Sequence, residues 1–435
     1  MKHGPVVWHS GAAPVGQRGA AALTVVMVLF FIMALVAAYA SRNLIFEQKT
    51  SANTYRSTQA REATEAAIEW VVMQLNAGRI SATCEPSANV NDTTFRQRYL
   101  TLQDDGIFNT KKWVSNGAEA QLIPSCVRDQ NGWACSCPAG ANPSPVVPAL
   151  QPAPAFALKF ELIGQPGLVS MHADGCSGPG SAGAECWHST SVDDGIATTD
   201  ADAKASVRAK LALVRALPVA PTAALTVGNR IQSTAELVVA NDDSKTGVTA
   251  RAGGVIVAGS LRMIPPAGST GTGMLASDAA LRQLAIDDRL FVSLFGMNRF
   301  MFRRQPAAFR LACIACASSD IETAVAGQPG RILWVSGDVD LNNTTTLGSA
   351  AEPVFLVVDG TLTVSATVTF NGLLYARDFV WTAPAGAVIV GAAVVENDFS
   401  ATTEARVAYQ AAMLGLIQRG HGSFVRVPGS WWDQD

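Results

Sequence analysis

From Ala20 to Ala40 the chain reads AAALTVVMVLFFIMALVAAYA, a run with no charge and a single threonine, Thr24. About 20 apolar residues suffice for a helix to cross a bilayer, and a helix satisfies its own backbone groups there. Ser41 to Leu75 then contains neither proline nor glycine and is rich in the helix formers Ala, Glu, Gln and Arg. Within it, Ala60, Ala63, Ala67 and Trp70 recur at three- and four-residue spacing, which predicts one mostly small face against which another element packs closely. Asn76-Ala77-Gly78 supplies a stop. The pattern predicts one long helix over 20–78, transmembrane over 20–40. At about 1.5 Å per residue it is about 84 Å long to Leu75.

After the helix the periodicity changes. Phe156–Leu162 and Val207–Leu213 read as strands, the second with Val207, Ala209, Leu211 and Leu213 on one face. From 218 onward, Val- and Thr-rich runs punctuated by Gly and Asn predict a β-rich domain. A five-residue pattern recurs there: Val227 to Ile231, Val257 to Leu261, Val335 to Val339, Val358 to Leu362, Tyr375 to Phe379 and Val395 to Phe399. The last four are spaced by about 20 residues, near one coil of a β-solenoid; an antiparallel sandwich is the alternative. Ser277 is positioned to cap a helix from Asp278 to Phe295, the core of an inserted segment over 277–304. The basic, aromatic Met297–Arg304 after it is expected to cap one end of the β domain. Asp338-Val339-Asp340-Leu341 alternates as an exposed strand face should. Ala408–Leu416 reads as a short helix, and Trp431-Trp432 are expected to pin the tail against the last coil.

The segment before the apolar run holds Lys2 and Arg18. The positive-inside rule puts the N-terminus in the cytoplasm and the remainder in the periplasm, with Arg42 and Lys49 opposing. The alternative is a cleaved secretory signal ending at Ala38-Tyr39-Ala40, against which the length of the apolar core speaks. In the oxidising compartment beyond the membrane, the eight cysteines read as disulfides. Cys176 and Cys186 flank a glycine-rich loop and are expected to pair. Cys135 and Cys137 sit too close in sequence to bond without strain, so each is expected to pair with Cys84 or Cys126, in an order the spacing leaves open. Cys313-Ile-Ala-Cys316 has redox-motif spacing, but Ala317 to Asp320 begins no clear amphipathic helix, so a structural disulfide is expected.

Two motifs together carry a resemblance. Arg18-Gly19 before an apolar helix, followed by AREATEAAIEW at Ala60–Trp70, resembles the PilX-type minor pilins, type IV prepilin-like pilus assembly proteins, over roughly the first 75 residues. The resemblance implies a leader over 1–19, cleavage by prepilin peptidase between Gly19 and Ala20, and N-methylation of Ala20. It further implies packing of the helix with other pilins and contact with the inner-membrane pilus assembly machinery. By analogy, 79–217 becomes a small, disulfide-containing, pilin-like α/β region with a proline-rich spacer at 143–154, and 218–435 the β-rich domain. Two departures stand out. Most pilins hold a glutamate at the fifth mature position, here Thr24, as in tip-type pseudopilins, and the family's aromatic and glycine in the second motif are Arg61 and Ala67. The expected fold class is α+β, and the expected role is a minor pilin, at the tip or in low copy, serving pilus assembly or adhesion to a surface or cell ligand. A type II secretion pseudopilin and a membrane-anchored solenoid acting on polysaccharide are the alternatives.

Composition removes other classes. A net charge of -3 with 15% charged residues creates no field to recruit nucleic acid. The histidines are paired with no candidate nucleophile in a recognisable spacing, and phosphate-loop, zinc-helix and GxSxG patterns do not occur. The expectation is no catalysis, no cofactor and no metal. His172 and His188 with Asp174 and Glu185, and the group Asp193, Asp194, Asp200 and Asp202, are read as solvated loop residues rather than ligands.

Overall fold

A computed structural model describes residues 4, 18–115, 117–140, 153–178, 203–243, 245, 247–269, 271 and 273–434. The chain divides into two units, 1–58 and 59–435. In the first, the described backbone from Arg18 on is helical; this is the beginning of α1, whose bounds are Arg18–Leu75.

The second unit holds two large sheets. One has seven antiparallel strands, Ser125–Arg128, Trp133–Ser136, Ala155–Glu161, Leu168–Cys176, Lys204–Arg215, Gly422–Arg426 and Trp432–Gln434. Alternation explains Lys204–Arg215: Val207, Ala209, Leu211 and Leu213 are all buried. The last two strands correct the expectation for the tail. Trp432 lies in register with Arg208 of this sheet, and both Trp431 and Trp432 remain exposed, so the tail is held by backbone pairing here. Asn76 reinforces it: its side chain donates to the Phe424 carbonyl (2.9 Å) and accepts from the Phe424 N–H (2.8 Å). The residue that stops the helix also secures the penultimate strand.

Short elements fill the stretch after α1. Helix α2 (Phe95–Tyr99) opens on Thr94 with a capping box completed by Gln97. Cys84 bonds to Cys137 and Cys126 to Cys135, the second across two neighbouring strands.

In the other large sheet every pairing is parallel, so an antiparallel sandwich does not describe it. Its strands form three ladders. The first stacks Ala308–Leu311, Ile332–Val335, the start of Val354–Val364, the middle of Val368–Trp381, the end of Val388–Val395, Ala223–Val227 and Val248–Ala252. The chain's earliest strands of this sheet thus lie against its latest ones. Val335, Val358, Ala376, Val395, Val227 and Ala252 make one column. Two members of the repeat shift: Tyr375 stands beside Val357, and Val257 pairs with Gln232 of Ile231–Ala240, outside the first ladder. Bulges after Val358 and Ser233 break the register, which a fixed period cannot anticipate.

Burial separates the ladders. Ile332–Val335 is buried throughout, while Asp338–Leu341 alternates exposed and buried. The first pattern belongs to a strand covered on both faces. The cover is helical: α3 (Ala279–Leu284), α4 (Arg289–Phe295), α5 (Arg299–Phe302) and α7 (Ala411–Gly420), with α6 (Ser318–Gly327) preceding α7 in the chain. Phe291, Phe295 and Phe302 stack on Trp334, Phe355 and Tyr375, which belong to successive strands. Met297–Arg304 therefore lines the flank of the first ladder and does not cap its end. The inserted helix is also broken. Asp278, not Ser277, caps α3 through the N–H groups of Ala280 and Leu281, and Asp287 and Asp288 take positive φ between α3 and α4.

The turn pairs of the repeat form a polar column. Asp338 accepts from the Thr361 N–H (2.7 Å), Asp378 from Asn397 Nδ2 (3.0 Å), and Asp398 from Asn229 Nδ2 (2.8 Å). Each carboxylate satisfies a donor on the neighbouring strand level.

Candidate functional site: the N-terminal helix

Every residue from Ala22 to Thr58 is exposed, including Phe30 at 74% and Phe46 at 71%. Water does not tolerate such a continuous apolar surface, so lipid or other helices must cover it. The helix is long and apolar enough to cross a membrane. Gly19 and Ala20 lie in its first turn and Thr24 one turn on, on an exposed part of the helix. Farther along, the hydroxyls of Thr50, Thr54 and Thr58 each donate to the carbonyl four residues back, at 2.9 Å. These bonds satisfy the hydroxyls within the helix and leave their methyl-bearing face free for a partner.

From Gln59 the same helix enters the second unit. Ala60, Ala63, Thr64, Ala67 and Trp70 are buried, the face that the spacing predicts. Its small residues are required by Gly175: a Cβ there would stand 2.2 Å from Thr64 Oγ1 and 2.3 Å from the Ala60 carbonyl oxygen. The helix backbone lies directly on the antiparallel sheet. Thr64 confirms the closeness by donating to both Ala60 (2.8 Å) and Ala205 (3.2 Å) carbonyls. Gly175→Ala is expected to cost about 2–3 kcal/mol, since neither backbone can retreat alone. A lowered urea midpoint with an unchanged slope checks it.

The family model described as PilX N-terminal matches residues 18–69. This segment is PilX-type. The match lies within α1, whose apolar stretch is long enough to cross a membrane. No curated protein matches the chain. Among solved structures, a competence-associated pilin, ComZ, from Thermus thermophilus is 12% identical, covering 87% of this chain and 97% of that one at a TM-score of 0.23. An ice binding protein from an Antarctic biological consortium is 13% identical, covering 45% of this chain and 92% of its own, also at 0.23. Both likenesses are remote.

Other predicted residues fall elsewhere. Cys313 is bonded to Cys316, and their surroundings differ from expectation. A strand, Ala315–Ala317, runs into α6 at Ser318, with Asp320 accepting from the Ala317 N–H (2.9 Å). Asp320, one of the polar residues that hide this helix from hydrophobic periodicity, is the one that caps it. Asp320 comes within 4.8 Å of both sulfurs, which are committed to each other. Cys176 is disulfide-bonded. Its expected partner Cys186 lies outside the described residues, as do His188, Glu185, Asp193, Asp194, Asp200 and Asp202. His172 is no loop residue: it is buried in Leu168–Cys176, with Nε2 3.5 Å from Asp174 Oδ1, and burial lowers its pKa.

Two buried polar groups escape sequence reasoning because their partners are remote in the chain. Arg299 reaches Asp288 (2.7 Å), Asp359 (3.2 Å) and Glu396, with its guanidinium 4.7 Å from the Phe291 ring centre. Burial alone would lower its pKa, but Tyr375, Asp288 and Glu396 outweigh that and raise it. Burial raises the Tyr375 pKa in turn. His421, at the end of α7, is 4% exposed, and burial with Arg96 beside it pushes the imidazole down to about 4. Unfolding restores an ordinary pKa near 6.5, so the unfolded chain binds the extra proton. The stability from neutral His421 is complete above pH 6.5 and is lost as pH falls toward 4. The loss comes to about 3 kcal/mol. Denaturant midpoints at pH 7 and 4.5 should differ accordingly, and His421→Phe should shrink the difference.

Proposed function

We propose that the chain is a minor pilin at the tip or another low-copy position of a type IV pilus, where it contributes to assembly or adhesion. The observation that carries the reading is the exposed apolar stretch of α1 with Thr24 where most pilins, by the resemblance, hold a glutamate. That glutamate neutralises the amine of the adjacent subunit. Threonine cannot, and a buried unpaired ammonium costs several kcal/mol. A subunit used once at an end avoids repeating this cost along the fibre. In this reading prepilin peptidase cuts between Gly19 and Ala20, and Ala20 is methylated. The chain waits in the inner membrane with its folded part in the periplasm. The three-ladder stack is a β-solenoid displayed for contact with a surface, and it performs no catalysis. The polar column of Asp338, Asp378 and Asp398 supports this, because its carboxylates are engaged between strand levels.

Mass spectrometry of the mature protein should find N-methylated Ala20 as the first residue; any other N-terminus sinks the proposal. Thr24→Glu should raise the number of copies per sheared pilus several-fold. Abundant unmodified protein along the shaft would contradict the low-copy position. Thr24 also suits a type II secretion tip pseudopilin, which gains if deletion stops secretion and leaves piliation intact.

A further inference from the structure

A cavity of about 200 Å³ lies where the end of α1, α2, the 329–331 and 351–353 turns and the end of α7 meet. One part of its wall is cationic. Arg96 donates to the carbonyls of Leu75, Gly420 and Gly422, and Arg331 to those of Pro306, Ala307 and Ala308 and to Gln328 Oε1. Every acceptor is neutral. A guanidinium has five N–H donors; each of these makes four such bonds and keeps one on Nη1. Neither is ion-paired among the described residues. One carboxylate, Glu352, also lines the cavity and accepts from Gln97 at 2.7 Å. Beside them His421 has no well-formed hydrogen bond on either ring nitrogen, although the Pro353 carbonyl approaches it. The rest of the wall is apolar, with Leu100, Leu102, Phe108 and Leu416.

Two guanidinium groups on one cavity wall, neither of them ion-paired among the described residues even though Glu352 lines the same cavity, leave positive charge in a low-dielectric setting. Charge-assisted bonds from the two spare N–H groups would stabilise an anion there, while the apolar wall favours a hydrocarbon body. From this juxtaposition we propose that the cavity binds a small monocarboxylate with an aliphatic or aromatic body, its carboxylate between Arg96 and Arg331. Such a ligand would bridge the two sheets of the folded unit, since Leu75 and Arg96 belong with one and Arg331 and Pro353 with the other.

The test is calorimetric titration of the full chain in detergent with hexanoate, hexanol and inorganic phosphate, blanked against empty detergent. Saturable hexanoate binding at least tenfold tighter than hexanol or phosphate is expected. Arg331→Gln should weaken it at least tenfold, and Leu416→Trp, which fills the apolar side, should abolish it. If Arg331→Gln does not fold, Leu416→Trp decides. Absence of saturable binding, equal response to hexanol or phosphate, or unchanged binding in Leu416→Trp overturns the proposal.

Discussion

Arg299→Ala is expected to lower the stability of the folded unit by about 3–5 kcal/mol, the cost typical of breaking a buried ion pair from one side. Glu396 is 5% exposed and would be left without its guanidinium partner, while Asp359 would keep only Arg377 at 2.6 Å. The loss extends beyond charge. Arg299 opens α5, and its guanidinium lies over Phe291 and, at 5.5 Å, Tyr375, so its removal loosens α4 and α5 from the first ladder. Chemical denaturation followed by tryptophan fluorescence checks this, since Trp334 lies under Phe291 and Phe302. A double-mutant cycle with Glu396→Gln should give a coupling of about 1–3 kcal/mol. A coupling near zero would place the stability in the aromatic packing alone.

The second large effect concerns the disulfide between Cys84 and Cys137. It closes a loop of sequence separation 53, and a loop of that size constrains the unfolded chain by about 4 kcal/mol. Replacing both cysteines by alanine should remove that much. Cys126–Cys135, of separation 9, should cost less, about 2–3 kcal/mol by the same scaling. The ordering of the two double variants in urea is the check; equal losses would mean that strand pairing, not loop closure, governs the region. In the cell the first variant should reduce the amount of full-length protein. The region it constrains supports the buried end of α1: Phe95 packs edge-on against Trp70 at 5.5 Å.

The sequence by itself determined the long helix, its apolar span, its stop at Asn76-Ala77-Gly78 and the small face at Ala60 and Ala67. All are local: helix periodicity and the lack of proline and glycine need no knowledge of the rest of the chain. The alternation in Val207–Leu213 and Asp338–Leu341 was legible for the same reason. Only the tertiary structure decided the pairing of Cys84 with Cys137, because four cysteines allow several connectivities of similar loop entropy. It also decided the registers of Tyr375 and Val257, where bulges shift a repeat whose residues suit more than one ladder. The return of the C-terminal strands to the antiparallel sheet and the convergence of Arg299 with Asp359 and Glu396 are long-range contacts. Their energy comes from backbone edges and buried charges meeting across 60 to more than 300 residues, a proximity that periodicity and composition do not encode.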